Sequence, residues 1–150
     1  KKKKIPLHIK SFTNPNAKGS QITDGVTTNS EKSSFIVKEN QILISISDRS
    51  LAFIVETHMS KIFKLLAKHG IGVNMMQNSA VSFSICVDND KYKVPALLNE
   101  LKENFDVFYN DELSLYTVRH YTDATAKELL KGKEVILEQK SRNTLQIVVK

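Results

Sequence analysis

Ile71-Gly72-Val73-Asn74-Met75-Met76-Gln77-Asn78-Ser79-Ala80-Val81-Ser82-Phe83-Ser84-Ile85-Cys86-Val87-Asp88 decides the fold. In its second half Val81, Phe83, Ile85 and Val87 alternate strictly with Ser82, Ser84, Cys86 and Asp88, the period of a strand with one apolar face. In its first half Ile71, Val73 and Met75 begin another strand, which runs into the polar break Gln77-Asn78-Ser79. Working outward, Met59, Ile62, Phe63 and Leu66 recur at helical spacing with Leu65 alongside, and Gly70 sits where a left-handed cap belongs. Before that helix, Ile42, Ile44 and Ile46 alternate with Leu43, Ser45 and Ser47 as a strand. After the quoted stretch, Val94, Leu97, Leu98, Leu101 and Phe105 form a helical stripe, with Pro95 in a permitted first-turn position. Val107 to Tyr109 reads as a short closing strand.

That order is β-α-β-β-α-β over roughly residues 36 to 110, the ferredoxin-like split βαβ, with both helices on one face of an antiparallel sheet. The other face, carrying Ser82, Ser84 and Cys86, is solvated or pressed against a partner sheet. The chain then starts again: Leu113, Leu115 and Tyr116 to Val118 as a strand, then a helix over 124–131 capped by Thr122 or Asp123 and ended by Gly132. Strands over 134–138 and 144–149 follow. This second unit lacks a closing strand, and an open edge needs covering. The spare strand is Pro6-Leu7-His8-Ile9-Lys10-Ser11-Phe12. The expected fold is therefore α+β, two ferredoxin-like modules with one inserted in the other. Residues 36–112 form the first; 113–150, completed by 5–24, form the second; the lysine run 1–4 is a tail. Thr13 to Ser34 and Asp88 to Lys93 read as irregular, from their Asn, Pro, Gly, Ser and Thr content.

At 150 residues, 41% hydrophobic and 25% charged, the composition is that of a globular protein with a real core. No apolar run approaches the length of a membrane span, and no signal-peptide core follows Lys1 to Lys4. One cysteine, Cys86, cannot close an intrachain disulfide, which agrees with a reducing cytoplasm. The net charge of +6 suggests nucleic acid only at first sight. Without Lys1 to Lys4 the 22 basic residues fall to 18 against 16 acidic ones, a net of +2, so the basicity sits in a terminal run, whereas a nucleic-acid footprint is expected as a patch on the folded face.

No catalytic constellation is visible. Gly70-Ile71-Gly72 is the one G-x-G, and it follows a helix instead of opening one, so it cannot place amides on a phosphate. The histidines His8, His58, His69 and His120 have no metal-ligand spacing, and Cys86 has no nearby histidine. A different kind of site is present. The loop Asp48 to Thr57 leads from a strand to a helix start, whose free N–H groups attract a carboxylate. Thr57 is a possible cap, and Asn74, Gln77, Asn78 and Ser79 offer amide and hydroxyl groups to a small ligand, unless they only satisfy turns.

The stretch Ile71 to Asp88, with the preceding helix Ile62-Phe63-Lys64-Leu65-Leu66-Ala67-Lys68-His69, resembles the first ACT domain of aspartate kinases. Pro6 to Pro15, leading to Gly19-Ser20-Gln21-Ile22, resembles the segment that joins their kinase module to the regulatory region. Arg142-Asn143-Thr144-Leu145-Gln146 is similar to the end of their second ACT domain. The resemblance implies the C-terminal regulatory region of an enzyme that phosphorylates aspartate with ATP and Mg, opening the route to lysine, threonine and methionine. The kinase module is outside this chain, so the resemblance implies no phosphotransfer and no cofactor here. It also implies a cytoplasmic homodimer paired through ACT domains, with an end-product amino acid, lysine before threonine, bound at the interface as feedback inhibitor. Carried over residue by residue, the effector site takes Asp48, Ser50, Ile54, Val55, His58 and Met59 from the loop and helix start. It takes Val73 and Asn74 from the second strand and Asn78 and Ser79 from the turn. Lysine-binding members carry carboxylates where this chain has Asn74 and Ala80.

On this reading two chains bury the Ser82/Ser84/Cys86 face or the loop near Phe53, and the amino acid shifts the balance between two arrangements by binding them unequally. One rival is a purely structural dimerisation module without an effector. Another is RNA binding, which would need aromatics on the sheet surface where Ser82, Ser84 and Cys86 stand.

Overall fold

A computed structural model of the chain describes residues 5–22, 33–50 and 52–150. The chain divides into two compact units, residues 1–31 and 32–150. In the first, β1 (Leu7–Ile9) pairs antiparallel with β2 (Ser20–Ile22) as a two-stranded sheet. The turn between them uses Gly19 at φ +69°, where an added Cβ would lie 2.3 Å from the Ile9 carbonyl oxygen, so only glycine fits.

The second unit contains β3 (Ser34–Ser47), α1 (Glu56–Lys68), β4 (Val73–Asn78), β5 (Ser82–Asp88), α2 (Lys93–Asn104), β6 (Asp106–Arg119), α3 (Asp123–Leu130), β7 (Val135–Lys140) and β8 (Thr144–Val149). Its strands form one six-stranded sheet in the order β4-β5-β3-β6-β8-β7, antiparallel in every pair that touches. The expected α+β class with two ferredoxin-like modules is what the structure shows. The long strands β3 and β6, each 14 residues, serve both modules. The first module is β4-β5 with residues 41–47 of β3 and 106–112 of β6, and the second is residues 34–38 and 113–119 with β8 and β7.

This corrects the sequence reading in one respect. The closing strand of the second module is residues 34–38, paired with 115–119 of β6, and not Pro6 to Phe12, the spare strand that the sequence offers. Leu7 to Ile9 pairs with Ser20 to Ile22 instead. The physical reason is continuity: Phe35-Ile36-Val37 is β-branched and aromatic, runs straight into the Ile42 strand, and needs no long connection to reach the edge. Likewise Val107 to Tyr109 is no isolated strand but the start of β6. Among the described residues the second module carries one helix, α3, where a complete βαββαβ unit carries two.

The helical face of the first module buries Ile42, Ile44, Ile46, Phe83, Ile85 and Val87 against Ile62, Leu66, Leu97 and Leu101. In the second module Val118, Leu145, Ile147 and Val149 pack under Ala126 of α3. Thr122 caps that helix, its Oγ1 accepting from the Thr125 N–H at 3.2 Å. A third cluster lies where no helix does: Leu43, Met75 and Cys86 of the first module meet Leu113, Leu115 and Val148 of the second. Cys86 and Val148 are fully buried and Met75, on an edge strand, is 3% exposed. The helix-free faces of the two modules therefore close on one another. The Cys86 end of the serine face is covered from within the chain, so it is open neither to solvent nor to a second copy, the two alternatives the sequence leaves for it.

Candidate functional site

At the end of β3 the chain turns through Asp48 and Arg49 toward α1. Asp48 Oδ1 accepts from the Ser50 backbone N–H at 2.8 Å and from the Ser50 hydroxyl. These two bonds hold the Asp48 carboxyl below the usual carboxylate range, and burial opposes them weakly. The His58 Nε2 lies 3.6 Å from Asp48 Oδ2. The tautomer follows from the other ring nitrogen. His58 Nδ1 accepts from the Val55 backbone N–H at 3.3 Å, so in the neutral ring Nε2 carries the proton and points it at Asp48. The ring stands edge-on to Phe105, centroids 6.0 Å apart, which fixes its plane.

Val55, not Thr57, is the cap of α1, so the Thr57 expectation is corrected: the His58 side chain reaches back to the cap backbone, as an acidic or amide residue usually does. Ile54 is buried in the core, and its N–H donates to the Ala80 carbonyl at 2.9 Å. That bond ties the loop to the β4–β5 turn, so Asn78 and Ser79 stand at the same end of the sheet as Asp48, Ser50, Val55, His58 and Met59. Ser79 is already engaged there: its Oγ accepts from the Ser82 N–H at 3.1 Å and lies 2.8 Å from the Ser82 hydroxyl. Around this end Phe53, Val55 and Val81 are 66%, 42% and 47% exposed, and the outer edge of β4 pairs with no strand among the described residues.

Val73 and Asn74 do not join this group. β4 runs parallel to β3, so Asn74 sits at the opposite end of the strand, about 13 Å from Asn78 at a strand's rise per residue. Its side chain belongs to a second polar cluster. Asn74 Nδ2 donates to Gln41 Oε1 at 2.8 Å and to Asp88 Oδ1 at 2.9 Å, and Lys38 Nζ donates to Asn74 Oδ1 at 2.8 Å. Gln41 is 1% exposed and donates to Asp88 Oδ1 at 2.8 Å and to the Glu39 carbonyl at 3.0 Å. The Gln41 amide, then Asn74 and Lys38, hold the Asp88 carboxyl below its ordinary range. Every polar atom of Gln41 thus has a partner, which makes its burial tolerable. Sequence reasoning missed Gln41; a glutamine between Glu39-Asn40 and the apolar run Ile42-Leu43-Ile44 looks like a strand's polar edge.

The first group can hold a small zwitterion in chemical terms: an oriented carboxylate for a cation, a helix start for an anion, and an apolar collar. Among the described residues no three His, Cys, Asp or Glu side chains converge on a metal position. No helix among them is long and apolar enough to cross a membrane.

No protein-family profile and no curated protein matches the chain. Solved structures do. Aspartokinase III of E. coli, in complex with lysine and aspartate, is 18% identical with a TM-score of 0.75 over 99% of this chain and 36% of its own. The aspartate kinase of Clostridium acetobutylicum is 18% identical with a TM-score of 0.76, over 99% of this chain and 38% of its own. A chain from Porphyromonas gingivalis W83, described as a C-terminal regulatory domain of aspartate kinase, is 21% identical with a TM-score of 0.65, over 79% of this chain and 86% of its own. This chain thus spans little more than a third of the two whole kinases. What the likeness fixes is the fold: this chain has the fold of aspartate kinase regulatory regions, tandem ferredoxin-like ACT modules.

Proposed function

We propose that the chain is the regulatory region of an aspartate kinase and senses an end-product amino acid, lysine first, at a seam between two copies. The observation that carries the reading is the convergence at one end of the first module. Asp48, oriented by Ser50 and facing His58, lies at the start of α1 beside the exposed Phe53, Val55 and Val81 and the open edge of β4. A second copy covering that collar further encloses a carboxylate whose side chain is already only 20% exposed, and there a charge-assisted bond to an ammonium gains strength. The parent enzyme would bring ATP and Mg in its own kinase module, and this chain would contribute control without phosphotransfer. The effector set is the one carried over by the resemblance, less Val73, which packs on the helical-face core, and Asn74, which belongs to the Gln41–Asp88 cluster. A cytoplasmic location goes with that reading.

Isothermal titration calorimetry of the chain with lysine, then threonine and methionine, tests this beside a sizing column. We expect saturable heat with lysine on a dimer. No heat with any of the three, on a folded dimer, would replace this reading with a purely structural dimerisation module.

A further inference from the structure

The first half of β3 is an edge that the fold leaves open. β5 pairs with β3 only from Gln41 onward, so residues 34–39 have β6 on one side and no strand on the other among the described residues. On this edge Phe35, Ile36 and Val37 are 52%, 53% and 46% exposed. Because neighbours on a strand point to opposite faces, the exposure is two-sided. Phe35 and Val37 pair with Val118 and Tyr116 and share the α3 face, and Ile36 pairs with Thr117 on the other. On the α3 side Phe35 and Tyr116 line an open groove of about 430 Å³ with Leu129, Lys131 and Lys133. An edge of three consecutive apolar residues with unpaired backbone is a template for a further strand, and folds normally blunt such edges with charge, proline or a covering element.

We propose that this edge pairs with the same edge of a second copy, antiparallel and centred on Ile36. The strand is self-complementary in that register. Ile36 faces the partner's Ile36, and Phe35 faces the partner's Val37 on the α3 side. Ser34 faces the partner's Lys38, so no like charges stand opposite one another. Two copies related by a twofold axis satisfy this twice over, which closes the contact without leaving a new edge of the same kind. The grooves of the two copies then run together, and the apolar walls formed by Phe35, Tyr116 and Leu129 leave water. The three strand residues cover only a few hundred Å² per copy, below the roughly 800 Å² per partner of a standard interface. The α3 rims must therefore contribute, and the pairing is concentration-dependent. It stands independently of the effector reading, whose seam lies on the outer edge of a different strand, β4.

Two variants test it. In Ile36→Cys the paired thiols face each other at cross-strand distance, which a disulfide can span. Mild oxidation is expected to link Ile36→Cys chains at least tenfold faster than the more exposed control Tyr92→Cys, with Cys86 buried and silent in both. Sedimentation equilibrium of Ile36→Lys is expected to show self-association weakened at least tenfold with unchanged circular dichroism. Equal linking rates for the two cysteine variants would overturn the proposal. So would a mass that Ile36→Lys leaves unchanged while Val81→Lys, on the β4 seam, lowers it. Absence of lysine heat would leave this result untouched, which separates the two proposals.

Discussion

Asn40 and Glu112 both hold left-handed backbone, φ +52° and +56°, and they flank one pair: Asn40 precedes Gln41, Glu112 precedes Leu113, and Gln41 pairs with Leu113. The register of β3 on β6 slips on both sides of that pair. These are the two points where the chain crosses between modules, and each crossing is made by one residue in a conformation L side chains disfavour. Twin bulges bend the ribbon so that Leu43 and Leu115 reach one cluster on the helix-free side.

The two residues should respond oppositely to substitution. Glutamate has no local reason to adopt positive φ, so Glu112→Gly should raise stability by about 1 kcal/mol. Asparagine tolerates the conformation, and Asn40 also donates to the Asn89 carbonyl at 3.3 Å. Asn40→Ala should lower stability by roughly 1–2 kcal/mol. Urea midpoints with unchanged slopes would show both effects, and equal signs would remove the argument.

Asp88 should shape the acid limb of stability. Its folded pKa is depressed, by the Gln41 amide first. The stabilisation is therefore present above the unfolded carboxyl value near 3.9 and lost as pH falls through the lower folded value. Asp88→Asn keeps the shape but cannot titrate, so the difference from the wild type should shrink between about pH 5 and pH 2. Urea titrations at three pH values check it; a difference that grows on acidification would mean that the carboxyl is not depressed.

The strand and helix order of the first module was legible because its apolar periods are clean: Val81 to Val87 and Ile42 to Ile46 alternate, and Ile62 to Leu66 turns with a helix. The second module's closing strand was not legible. Phe35-Ile36-Val37 is too short to show a period, and it lies beside an Asn/Ser/Thr-rich run that reads as loop. The site was half legible. Asp48 and His58 follow from the rule that strand ends and helix starts meet, but Asn74 is placed by the direction of β4, which carries it to the other end of the strand from Asn78. Ser79, which the resemblance carries into the effector set, also bonds Ser82 within its own turn, the alternative that its residue type left open.

The Cys86 thiol should be inert in the folded chain. It is fully buried, and desolvation first, then Asp88, pushes its pKa up to about 11. At pH 8 an aromatic disulfide reagent should release no chromophore from the native protein and one equivalent after unfolding in urea. Prompt native reaction would mean that the cluster of Leu43, Met75 and Val148 opens locally.

Asp48 and His58 should separate binding from folding. His58→Ala removes the acceptor of the Val55 N–H at the start of α1, which should cost about 1 kcal/mol of stability. Asp48→Asn keeps an oxygen for the Ser50 donors, so the loop should hold while the charge is lost. On the proposed function lysine affinity should then fall at least tenfold, about 1.4 kcal/mol, with little change in the urea midpoint. The pH dependence has a definite sign. Because Ser50 depresses the Asp48 pKa, the carboxylate stays charged below the ordinary range, and lysine binding should persist from pH 7 to about pH 5. If Asp48→Asn leaves the calorimetric affinity intact while His58→Ala lowers the melting temperature, the cluster is a helix-capping device and the ammonium partner lies elsewhere.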